Sequence, residues 1–303
     1  MSSTHQNLSG KRIGFFGKGG AGKSTCLILF AQALRARGYP VCVLDADSTN
    51  IGLYQALGVE TPPTPLLDYF GGMVFSGGKV TCPVDDPTRL EGGELWLDDL
   101  PPEYYARSPE GITILSAGKI GSQGPGAGCD GPIAKIARDV IIRTQNQQPI
   151  TLVDFKAGFE DSARGVMTSL DWAIVTVDPT VASLEIAANL NELVQKIQQD
   201  VLPATAHLES PALVALANRL FTEASISALF VLLNRVPDSA VEDYLKERLA
   251  EKGLEALGVI HADASIPHAW LKGQRIQSAT ALGEARQVVD RLEDFTAHRA
   301  TAG

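Results

Sequence analysis

The sequence predicts one α/β domain, built on a mostly parallel, doubly wound sheet with helices on both faces. Short apolar runs alternate with helical patterns along the chain. The runs are apolar throughout, as strands covered on both sides should be. "RIGFFG" reads as the first strand, and the loop after it opens a helix reaching about Arg37. In that helix Leu27, Phe30, Ala31 and Leu34 recur at core spacing, and Gly38 suits the stop. "VCVLDAD" is a second buried strand ending in carboxylates. "ITILSAG", "ITLVDF", "WAIVTVD", "ALFVLLN" and "LGVIHAD" follow, separated by helical patterns near 132–146, 181–199, 239–252 and 281–297.

Two stretches break this rhythm. Residues 58–111 are rich in Pro, Gly and acidic residues, and too long for a structureless connector. A partly ordered insertion close to the active site is expected there. Residues 200–225 form a smaller excursion. Neither divides the chain, so 1–303 is read as a single domain.

Hydrophobic residues make up 45% of the 303 and charged residues 20%, enough apolar material for a sizeable soluble core. The formal net charge of -9 disfavours general affinity for nucleic acid or anionic lipid. No apolar run approaches the ~20 residues that span a bilayer, and "MSSTHQNLSGKR" has no apolar core resembling a signal peptide. Cys26, Cys42, Cys82 and Cys129 lie far apart, so a reducing cytoplasm is expected.

Chemistry concentrates in "GFFGKGGAGKST". Its glycines, Gly17, Gly19, Gly20 and Gly22, follow a strand and open a helix, the setting in which backbone N–H groups converge on phosphate oxygens. Ala21 and Thr25 complete the cradle. Lys23 is expected on the β- and γ-phosphates, and the Ser24 hydroxyl on Mg²⁺. A second lysine, Lys18, is surplus to that task. "VLDADSTN" puts Asp45 and Asp47 at a strand's carboxyl end, where α/β proteins bind ligands. "ITLVDFKAGFEDSARG" ends a strand in Asp154, with Gly158 at a DxxxG spacing, so Asp154 is expected to hold Mg²⁺, through water. Asn234, ending "VLLN", has an amide suited to the adenine edge or to capping its own turn.

"GKGGAGKST" resembles the deviant Walker A motif of the MinD/ParA/nitrogenase-iron-protein group of P-loop ATPases. The resemblance implies an ATP- and Mg²⁺-dependent P-loop NTPase fold that dimerises around nucleotide, Lys18 reaching the phosphates held by the partner copy. It also implies that Asp47 orients the attacking water with Asp45 near the metal, and that the segment around Pro267, in "DASIPHAW", covers the base.

"LPPEYYARSPEGITILSAGKI", "GAGCDGP" and "DFKAGFEDSARG" narrow the likeness to the CooC-type accessory ATPases of carbon monoxide dehydrogenase, over Lys11 to about Arg275. Those carry a CxC in which two subunits pool four thiolates around one metal; here Cys129 is present and Gly131 stands at the second place. The iron protein's cluster likewise needs a second cysteine, near Asp161, where none occurs. Two readings of Cys129 stay open: a thiolate that binds a soft transition metal at a dimer axis, helped by Asp130, or a small packing residue. Its position just before a helix whose stripe is Ile133, Ile136, Ala137, Val140 and Ile141, with Pro132 near its first position, favours ionisation of the thiol. Cys26 and Cys42 fall on apolar elements and read as buried; Cys82 has no reading. Lys156, where relatives commonly have Glu, reads as a solvated lysine or as a contact to phosphate or a partner.

The expected function is an ATP-switched, homodimerising accessory factor for a metalloenzyme client. The competing readings are a MinD/ParA-type positioning ATPase and an iron-protein-like reductase. The C-terminal "ARQVVDRLEDFTAHRATAG" is mixed in charge and lacks the basic amphipathic face of a membrane anchor, so neither membrane nor nucleic acid is expected as a partner.

Overall fold

Residues 7–119, 129–163 and 165–302 are described by a computed structural model. Most of the glycine-rich run before Cys129 (residues 120–128) lies outside the described residues. The strands are β1 (Arg12–Gly17), β2 (Val41–Asp45), β3 (Glu94–Trp96), β4 (Ala106–Arg107), β5 (Thr113–Ser116), β6 (Ile141–Arg143), β7 (Ile150–Asp154), β8 (Trp172–Val177), β9 (Ala228–Val236) and β10 (Ala256–His261). Eight of them form one sheet in the order β10-β9-β8-β1-β7-β2-β5-β4, parallel except for β4 against β5.

Strands this apolar need cover on both faces, and the sheet has it. Ile13, Phe15, Val41, Val43, Leu152 and Ile174 point to one side, with helices α1 (Lys23–Ala36) and α10 (Ala279–Ala302). Phe16, Leu44, Val153, Val175 and Leu233 point to the other. That side is covered by α3 (Leu66–Tyr69), α4 (Gly131–Asp139), α6 (Val181–Gln198) and α8 (Ser239–Ala250), with α2 (Leu53–Ala56), α5 (Glu160–Ala163), α7 (Pro211–Thr222) and α9 (Ser265–Leu271) completing the chain. Helix α1 is buried nearly all round, beyond the expected stripe, because it lies between the sheet and α10.

Two expectations are corrected, the extent of one helix and the core place of Ile141. The helix read over 132–146 stops at Asp139; Val140 begins an extended run, and Ile141–Arg143 pairs in parallel with Glu94–Trp96. Val140 is still core, but Ile141 is exposed. The 200–225 excursion holds helix α7, Pro211–Thr222. Residues 58–111 hold helical turns and strands β3 and β4, and are bound to α4. The buried Lys135 ammonium donates to Thr81 Oγ1 (2.9 Å) and Asp86 Oδ2 (3.0 Å), and Arg138 donates to Thr88 O (3.0 Å).

Candidate nucleotide site

The carboxyl ends of β1, β2, β7 and β9 meet at one edge of the sheet, where a doubly wound fold binds its ligand. From β1 the chain turns through Lys18–Gly22 into α1, and the turn needs glycine. Gly22 has φ 90°, and a Cβ there would stand 2.2 Å from Asn234 Nδ2. That amide donates instead to Ala21 O at 2.7 Å, and Arg235 donates to Gly20 O at 2.7 Å. Strand β9 therefore braces the loop from below. Asn234 is buried and its amide nitrogen is committed to the loop.

Ser24, Asp45, Asp47 and Asp154 converge beside the loop. Ser24 Oγ donates to Asp154 Oδ2 at 2.6 Å and accepts from Asn50 Nδ2 at 2.9 Å. Asp154 is fully buried, and among the described residues nothing donates to its other oxygen, Oδ1. Burial pushes the Asp154 carboxyl up, against the nearby Lys23 charge. Asp45 is pushed up to about 7, mainly by burial, with Lys119 opposing and Asp154 and Asp47 adding to the rise. Lys23 Nζ lies 3.8 Å from Asp47 Oδ2, whose Oδ1 accepts from Thr49 N (3.0 Å) and Thr49 Oγ1 (2.7 Å). The acidic cluster is thus turned toward the phosphate loop.

Lys18 leaves the loop in another direction. Its ammonium reaches Asp178 Oδ2, just past β8, at 3.4 Å, while Asp178 also accepts from Thr180 and Ser183 at the start of α6. Opposing its partial burial, these hydrogen bonds and the Lys18 charge hold the Asp178 carboxyl below the usual range.

Several contributors carry no sequence motif. Lys119 pairs with Asp45 Oδ1 (2.7 Å) and donates to Asp47 O (2.7 Å), placing a cation among the carboxylates. Trp270 Nε1 donates to Thr25 Oγ1 at 2.9 Å, so α9 docks on the first turn of α1. Pro267 lies on the exposed side of that short helix. A cavity of about 290 Å³, lined by Asp45, Ile51, Tyr54, Pro63, Ile114 and Lys119, adjoins the acidic cluster.

Lys156 is half-buried, and its ammonium pairs with Asp130 Oδ2 at 2.7 Å. That bond also occupies the carboxylate expected to assist Cys129. Gly158 N donates to Gly17 O at 3.0 Å, closing the Asp154 loop against β1. Cys26 and Cys42 are buried, and burial pushes both thiols up to about 12, so neither is a reactive group.

Residues 15–276 match the model of the CobQ/CobB/MinD/ParA nucleotide binding domain. The chain belongs to that family. Its members are P-loop ATPases, and this chain's phosphate loop carries the deviant Walker A form. Among relatives of the family, an uncharacterized ATP-binding protein of Methanocaldococcus jannaschii is 31% identical over 63% of this chain and 76% of its own. The carbon monoxide dehydrogenase accessory protein CooC of Rhodospirillum rubrum is 27% identical over 76% of this chain and 85% of its own. In fold, the chain is similar to the septum site-determining protein MinD of Pyrococcus horikoshii complexed with Mg-ADP, with TM-score 0.56, 18% identity, and coverage of 94% of this chain and 98% of that one.

Proposed function

We propose that this protein is a MgATP-dependent ATPase whose nucleotide state controls the pairing of two copies, and that it serves as an accessory factor in the maturation of a metalloenzyme. The observation that carries the ATPase reading is the Ser24–Asp154 pair under the phosphate loop, with a fully buried Asp154 oxygen left without a donor among the described residues. An unpaired carboxylate oxygen in such a place is costly unless a cation completes it. Ser24 and Asp154 would hold Mg²⁺, with Asp45 nearby, and the ion would neutralise charge on the phosphate oxygens. Gly17, Gly19, Gly20, Ala21, Gly22 and Thr25 supply the cradle, Lys23 binds the phosphates, and Asp47 orients the water. Asn234 braces the loop through Ala21 O, and the segment around Pro267 covers the base.

In a single copy Lys18 rests on Asp178; in the pair it exchanges that carboxylate for the phosphates bound by the other copy. The likeness to a carbon monoxide dehydrogenase accessory protein over most of both chains supports the maturation role. The reading places the protein in the cytoplasm. A positioning ATPase on membrane or chromosome is the competing reading. Helix α10 disfavours it, because Glu284, Asp290, Glu293 and Asp294 are interspersed with Arg286, Arg291 and Arg299.

The test is ATP-dependent dimerisation followed by light scattering. Lys18→Ala should stay monomeric with ATP, whereas Asp47→Ala should accumulate as an ATP-bound dimer with turnover lowered by about 10²-fold or more. Dimerisation of Lys18→Ala equal to wild type would refute the role of Lys18 across the pair. Co-sedimentation with anionic liposomes or DNA in the presence of ATP would favour positioning over maturation.

A further inference from the structure

We propose that Cys82 and Cys129 form one dithiol site for a soft divalent cation, built within a single chain. The two are 47 positions apart, and neither belongs to a spaced cysteine motif. Both sulfurs nevertheless crowd one point. A Cβ built on Gly131 would stand 2.7 Å from Cys82 Sγ and 3.2 Å from Cys129 Sγ. The sulfurs are therefore no more than about 6 Å apart, and one ion with Zn–S bonds of about 2.3 Å is within reach of both after small side-chain rotations.

The arrangement is held by the scaffold. Lys135 bonds Thr81, directly before Cys82, and also Asp86, whose backbone N–H donates to Cys82 O at 2.9 Å. Lys135 lies on α4, whose first residue is Gly131. The same helix that begins beside Cys129 thus grips the segment that delivers Cys82. Both thiols are free; Cys129 is exposed and Cys82 partly so, which leaves the pair open to an ion from solution.

Thiolates select soft or borderline ions over Mg²⁺ and Ca²⁺. Loading replaces two S–H protons by two metal–sulfur bonds and releases the protons to solvent, with no change of oxidation state. Among the described residues no third His, Cys, Asp or Glu completes a cluster. The chain thus contributes two ligands, and the remaining positions fall to water or to an incoming molecule, as suits an ion that is handed on. This proposal stands apart from the ATPase reading, because the site contains no nucleotide ligand.

The experiment is an anaerobic titration of reduced, nucleotide-free protein with Zn²⁺ against a chromophoric chelator, repeated with Cd²⁺ to read the thiolate charge-transfer band. Cys82→Ser and Cys129→Ser should each weaken Zn²⁺ binding by more than about 10-fold and abolish the Cd²⁺ band, with the double variant little worse than either. Gly131→Ala is the sharper variant. Gly131 has an ordinary helical backbone that alanine can adopt, and the added methyl group would press on Cys82 Cβ and Sγ and on Cys129 Sγ, displacing the sulfurs and weakening binding with both thiols retained. Circular dichroism and ATP affinity serve as folding controls. Wild-type Zn²⁺ affinity in Cys82→Ser, or a Cd²⁺ band that persists in it, would overturn the site. So would Zn²⁺ binding that is unchanged in Gly131→Ala.

Discussion

Lys18 and Asp178 set the first question at the scale of single residues. A partly exposed ion pair of this kind is worth about 0.2–1 kcal/mol. Asp178→Asn should therefore lower the ATP concentration needed for half-dimerisation by up to about fivefold; an unchanged midpoint would mean that the pair does not restrain Lys18. Asn234 poses a sharper choice. Its bond to Ala21 O acts on the loop whatever base is bound, so Asn234→Ala should weaken ATP and GTP binding alike, by about 1–3 kcal/mol. A loss confined to ATP would assign Asn234 to reading the adenine edge. Lys18, Lys23, Ser24, Asp45, Asp47 and Asp154 were legible because a phosphate loop fixes residue types at fixed spacings along the chain. Lys119 and Trp270 were not: their partners lie 72 and 245 positions away, and nothing in their own neighbourhoods marks them.

For the elements, the legible parts were those with unbroken apolar runs, such as β1, β7 and β8, whose cores need no side-chain bookkeeping. The boundary of α4 was misread because "VII" fits a helical stripe as well as a strand; β-branching and the partner strand β3 decide it. The 58–111 segment was opaque for another reason. It is ordered by Lys135 and Arg138, polar groups that a sequence reading assigns to a solvated helix face. Lys135→Met removes the ammonium's bonds to Thr81, Asp86 and Thr88 and should cost about 1–3 kcal/mol in denaturant unfolding, with Zn²⁺ affinity falling in parallel.

Helix α9 offers a test by pH. Asp263 accepts from Ser265 N (2.8 Å) and Ser265 Oγ (2.6 Å) and from Ser278, which hold its carboxyl below the usual range. A depressed folded-state value means stability that is present above the unfolded value of about 3.9 and lost as pH falls below it. The difference in Tm between wild type and Asp263→Asn should thus shrink as pH drops from about 6 toward 3; a constant difference would show that the hydrogen bonds do not depend on the charge.

Across the whole molecule, nucleotide site and thiol pair are separate in composition but not in chain path. Lys119 is tied to Asp45 and to the backbone of Asp47, and Asp130 is tied to Lys156, two residues after Asp154. If nucleotide rearranges either acidic loop, the thiol reactivity of Cys129 should change on adding MgATP, and Asp130→Asn should diminish that change. Equal reactivity with and without nucleotide in wild type would show that the two sites are independent.

Those two ion pairs tie Lys119 to the Asp45–Asp47 loop and Asp130 to the loop that follows Asp154. A shift of Lys156 would draw Asp130 with it through the bond between them. Cys129 sits one residue from that anchored carboxylate. The cysteine need not touch the nucleotide to register it, because the backbone would carry the signal as a mechanical displacement.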